Sequence, residues 1–89
     1  MIRPEGPWHI VFESSAGKEL RKLDRPVQKK IVAAIESLAA DPRPQSATQL
    51  VGETEYWRLR VGDYRIIYTF VEDRLIITVV RMAHRREVY

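Results

Sequence analysis

The chain has 89 residues, enough for one small domain spanning residues 1–89 around a single core, and contains no cysteine. A domain of this size buries about 60 to 70% of the surface its unfolded chain exposes. Without thiols there is neither a disulfide framework nor a thiolate metal site, which points to a reducing cytoplasm. The net charge of +3 is unevenly spread: residues 1–55 carry eight basic and eight acidic side chains, whereas residues 56–89 carry seven arginines, no lysine and four acids. An all-guanidinium excess in the last third is what a surface meeting an acidic partner such as nucleic acid would carry. No stretch approaches the ~18 consecutive apolar residues of a membrane span, so the expectation is a soluble, intracellular protein with no membrane partner.

In chain order, Pro4, Gly6 and Pro7 argue against regular structure at the start. Trp8, Ile10 and Phe12 then alternate with His9, Val11 and Glu13, which predicts a short half-buried strand. Ser14 or Ser15 is the expected cap of a first helix whose apolar positions are Ala16, Leu20 and Leu23. Asp24 is placed to cap a second helix with Pro26 in its first turn, where a missing N–H does no harm. Val27, Ile31, Ala34, Ile35 and Leu38 form its apolar stripe, and Asp41-Pro42-Arg43-Pro44 ends it. The stretch from Pro42 to Glu55 reads as a loop, anchored by Leu50 and turning at Gly52.

Tyr56 to Tyr68, YWRLRVGDYRIIY, reads as a β-hairpin around Gly62-Asp63. A two-residue loop sets Val61 opposite Tyr64, Leu59 opposite Ile66 and Trp57 opposite Tyr68 on one apolar face. On the other face Arg60 opposes Arg65, with Arg58 and Tyr56 further along. Like charges directly opposite are destabilising; planar guanidinium forks held together in this way suit an anion with several oxygens. A second two-residue reversal at Glu72-Asp73 leads into a strand over Arg74 to Met82. In that register Leu75, Ile77 and Val79 join the core, while Val80 opposes Arg65, and Met82 and His84 follow on the arginine face. The expected fold is α+β: an N-terminal strand, an antiparallel helix hairpin and a three-strand antiparallel meander, with the helices on one sheet face.

This order, with Leu50-Val51-Gly52, the RLRVGDYRIIY segment and the closing HRREVY, resembles the RelE branch of the RelE/ParE toxin superfamily from Trp8 to Tyr89. The resemblance implies the toxin of a type II toxin–antitoxin system: a ribosome-dependent endoribonuclease that cuts mRNA in the ribosomal A site. It also implies a cognate antitoxin that silences the toxin in a hetero-oligomer. Position by position, Arg65 matches the arginine that contacts the scissile phosphate, and Arg58 and Arg60 match basic positions that are often lysine. Arg85 matches the basic residue at the end of the last strand, Tyr89 the terminal tyrosine that orients the substrate, and His84 a histidine used by some relatives. Tyr56 joins Arg58, Arg60 and Arg65 as a candidate substrate contact.

The implied reaction, attack of a 2′-OH on the adjacent phosphorus, uses no metal or cofactor and builds negative charge on phosphoryl oxygens, which prealigned donors stabilise. Arginine stays protonated in proteins, so Arg58 and Arg60 can position and stabilise but not abstract a proton. Imidazole titrates near neutrality, which makes His84 a candidate base; Tyr89, Glu53 and Glu55 are the others. Two other readings stand beside this one: a ParE-like gyrase inhibitor without nuclease activity, and a noncatalytic RNA-binding module.

Overall fold

The computed structural model describes residues 8–84. The order is β1 (His9–Phe12), α1 (Ser14–Arg21), α2 (Arg25–Ser37), β2 (Ala47–Leu50), β3 (Glu53–Val61), β4 (Tyr64–Val71), a 3-10 turn (Glu72–Arg74) and β5 (Ile76–His84). The strands form one sheet in the order β1-β5-β4-β3-β2. β1 runs parallel to β5, and the other neighbours are antiparallel. No helix among the described residues is long and apolar enough to cross a membrane.

The α+β class and the helix-on-sheet arrangement agree with the sequence expectation; the sheet is larger. The stretch expected as a loop contains β2, which pairs Ala47 with Leu59 and Thr48 with Arg58 before a bulge at Leu50. An edge strand of four residues needs only one buried side chain to hold its face, here Ala47, too little to show as alternation. β1 closes the other edge through a parallel pairing that no local pattern announces.

Helix starts also differ from expectation. Glu13 is the residue before α1, and the Ser15 hydroxyl instead donates to the Val80 carbonyl at 3.3 Å. Asp24 does precede α2 with Pro26 in the first turn, but its side chain makes no capping bond. The connection is tied by Gln28, whose amide donates to the Leu23 carbonyl at 2.9 Å.

The core lies between the helices and one sheet face. Ile31 and Ile35 of α2, Leu38 just after it and Ala16 of α1 pack with Leu59, Val61, Ile66, Tyr68, Ile77, Val79 and Met82. At one end Phe70 gathers Trp8, Trp57 and Tyr68, with ring centroids 5.6, 5.9 and 6.3 Å away. The loop after α2 is pinned there: the buried Tyr68 hydroxyl donates to the Pro42 carbonyl at 2.6 Å, and the Arg43 guanidinium lies 4.9 Å from the Phe70 ring centre.

Candidate nucleic-acid interface

The β3–β4 hairpin has the expected register: Trp57 opposes Tyr68, Leu59 opposes Ile66 and Val61 opposes Tyr64. Gly62 has φ +59° while Asp63 stays out of the positive-φ region, so only the first turn residue takes the left-handed backbone, as in a type II′ turn. This turn matches the right-handed twist of the strands and holds Arg60 directly opposite Arg65. Arg58 opposes Ile67 on the same face. The side chains alternate with core residues, so Arg58, Arg60 and Arg65 all project from the face away from the helices. Tyr56, half-buried, lies where the pairing of β3 with β2 is irregular, between the Gln49–Trp57 and Leu50–Glu53 pairs.

A groove beside β2 is bordered by Ser46, Thr48, Arg58, Arg60 and Gly62. An Arg58 terminal nitrogen reaches the Thr48 hydroxyl at 3.5 Å. A second depression at the hairpin tip is bordered by Arg60, Asp63 and Arg65. Among the described residues neither Arg58 nor Arg60 has a carboxylate within ion-pair distance. Beneath the tip, the Lys30 ammonium of α2 would be 3.8 Å from a side chain begun at Gly62, adding positive charge at the same end. No group of three or more His, Asp or Glu side chains among the described residues is placed to hold a metal ion.

The connection into β5 corrects the sequence expectation. The reversal is the 3-10 turn plus Leu75 in the left-handed conformation at φ 53°, and Val71 opposes Ile76. A further irregularity then intervenes: Tyr68 opposes Val79 but Ile67 opposes Arg81, so Val80 is an extra residue on β5. One inserted residue reverses the face of everything after it. Ala83, not Val80, therefore opposes Arg65; Met82 is 3% exposed in the core; and His84 opposes Tyr64 with ring centroids 5.0 Å apart. His84 thus lies on the helix side, beside Glu19, Lys22 and Leu23, away from the arginines it was expected to join. The same shift brings Arg81, which alternation from Leu75 would send into the core, onto the arginine face. Arg85 and Tyr89, and the side chain of Glu53, lie outside what the structure describes. Glu55 is exposed on β3, within the irregular part of its pairing with β2.

A family model described as the ParE toxin of type II toxin–antitoxin systems (parDE) matches residues 10–89. The chain belongs to the RelE/ParE superfamily of toxins. A Methanocaldococcus jannaschii protein provisionally named toxin RelE1 is 35% identical over 74 residues, covering 79% of this chain and 80% of that protein. Two solved complexes share the RelE/ParE fold. RelE in the archaeal RelE–RelB complex of Pyrococcus horikoshii superposes with TM-score 0.80 at 20% identity, over 93% of this chain and all of that one. The RelB–RelE complex of Methanococcus jannaschii gives 0.69 at 25%, over 85% of this chain and 91% of that one.

Proposed function

We propose that this RelE/ParE toxin is a ribosome-dependent endoribonuclease of the cytoplasm that cleaves mRNA in the A site by 2′-OH attack on the scissile phosphate. The observation that supports it is the helix-free face itself, where Arg58, Arg60 and Arg65 project side by side with Arg60 and Arg65 in direct register. Such a cluster is costly to keep for solubility alone and suits charge developing on phosphoryl oxygens. In this reading Arg65 meets the scissile phosphate, Arg58 and Arg60 hold its flanks, Tyr56 contacts the nucleotide, and Arg85 and Tyr89 complete the site. The helix-side position of His84 argues against its acting as base, and of the other candidates Tyr89 is the one this reading assigns to move the proton. The ribosome orients the messenger, and positioning of that kind supplies about 7 to 11 kcal/mol in model systems, so free RNA should be cut poorly. A cognate antitoxin silences the toxin in a hetero-oligomer, as the RelB–RelE composition of solved relatives suggests.

A second reading is favoured by one observation, the match to a family model described for ParE: inhibition of gyrase by binding, without nuclease chemistry. Brief induction of the toxin, followed by mapping of message 5′ ends and measurement of DNA-damage reporters, separates the two. Cut messages with arrested translation support the nuclease; intact messages with a damage response overturn it.

A further inference from the structure

β2 contributes a single buried side chain, Ala47, to the core, so its part in packing is small. Ala47 pairs with Leu59 and faces inward; Thr48 stands directly opposite Arg58 and therefore lies on the helix-free face. Ser46, one residue before the strand, borders with Thr48, Arg58, Arg60 and Gly62 a groove of about 460 Å³. That volume lies within the range of about 300 to 1,000 Å³ found for sites that hold small molecules, which is room for one sugar–phosphate unit.

Two kinds of hydrogen-bonding chemistry meet in this groove. Arg58 and Arg60 supply charge and N–H donors, but a guanidinium has no acceptor. Among the described residues that border the groove, the side chains able to accept are the hydroxyls of Ser46 and Thr48, both exposed. An Arg58 terminal nitrogen lies 3.5 Å from the Thr48 oxygen, a long contact that engages one lone pair at most. A hydroxyl has two lone pairs and one O–H. Thr48 thus keeps a lone pair for a donor on a ligand and, unlike a carboxylate in its place, leaves the Arg58 charge intact. Arg58 and Arg60 are two residues apart on β3, roughly 7 Å along the strand, which matches one phosphate step of an extended nucleic-acid strand. What tells RNA from DNA at such a step is the ribose 2′-OH, a donor as well as an acceptor.

We infer that Thr48, seconded by Ser46, is a specificity-determining residue of this face: its hydroxyl accepts the 2′-OH of the ribose next to the scissile phosphate while Arg58 holds the phosphate of that unit. The inference rests on the nuclease reading and deepens it by naming what selects RNA on the flank given to Arg58. The competing role is a tie, in which Thr48 merely fastens β2 to β3.

The test is binding of two short, unstructured, fluorescently labelled single strands to the full chain, one RNA and one DNA of the same sequence free of uracil and thymine. Affinities are measured over a range of salt concentrations, well below the thermal midpoint of every variant. The unaltered protein is expected to favour the RNA. Thr48→Val should lower RNA affinity by about 2- to 10-fold, the worth of one hydrogen bond, and leave DNA affinity unchanged. Thr48→Ser should restore the preference, and Ser46→Ala, outside the strand, should reduce it as well. Arg58→Gln should weaken both strands alike and reduce the slope of log K against log salt by about 0.7, one single-strand phosphate contact. A tie predicts a lower thermal midpoint for Thr48→Val with the RNA-to-DNA ratio untouched, which overturns the inference; so does an unaltered protein that binds both strands equally. In either case a slope that still falls in Arg58→Gln leaves the arginine-face reading standing. If the unaltered protein shows no salt-dependent binding to either strand, that reading falls and the inference with it.

Discussion

Arg60 and Arg65 face each other across the β3–β4 ladder, two guanidinium groups in direct register on a sheet face that no helix covers. Opposed like charges cost a sheet a few tenths to about 1 kcal/mol. Arg60→Thr is therefore expected to raise the urea midpoint while toxicity on induction falls. Arg65→Ala should lower cleavage by about a hundredfold or more, the loss typical of one donor to a developing oxyanion, with unchanged stability. Loss of stability in both variants would make the pair structural and leave the phosphate site without support.

His84 packs edge-on against Tyr64 on the helix side. Replacement by Gln should cost about 0.5 to 1.5 kcal/mol of stability, the range of an aromatic pair, and leave cleavage within a few-fold. A fall of 10²- to 10⁴-fold, the usual contribution of a general acid or base, would return His84 to the reaction.

Tyr68 combines full burial with a hydrogen bond to the Pro42 carbonyl. Its hydroxyl is pushed up to about 12, chiefly by burial and then by the Asp41 charge, with Arg43 acting the other way. An unfolded tyrosine ionises near pH 10. Above that the unfolded chain has lost a proton the folded chain still holds, so this contribution is complete below about pH 10 and fades as pH rises toward 12. Tyr68→Phe should cost about 1 to 3 kcal/mol near neutrality, because the buried carbonyl loses its donor. The gap to wild type should narrow in denaturation curves above about pH 10, and a gap that widened would refute the assignment.

Arg43 joins Glu72 at 2.8 Å, with the two side chains 48% and 57% exposed, and also lies over Phe70. Exposed ion pairs contribute about 0 to 1 kcal/mol, and a cation over a ring contributes a comparable or larger amount once partly desolvated. Glu72→Gln is therefore expected to be almost silent in urea denaturation, and Arg43→Ala to cost about 1 kcal/mol. Equal costs would assign the effect to the ion pair instead.

Much of the arginine site was legible because its signals are local. Trp57, Leu59 and Val61 alternate with Arg58 and Arg60, and Gly62 can take the positive φ of the turn, so the hairpin register follows from a dozen consecutive residues. The same holds for α2, whose stripe and Pro26 mark its face and start. β2 was not legible, because four residues with one buried side chain carry too little pattern.

The sequence by itself determined that a half-apolar, half-guanidinium hairpin would sit on two amphipathic helices, since periodicity and turn chemistry act within a few residues. Only the tertiary structure decided which face each later β5 residue takes. The Leu75 turn and the extra residue at Val80 take their places from pairing with β4, and parity along a strand is inherited from every residue before it. That non-local choice set Met82 in the core, His84 against the helices and Arg81 among the arginines.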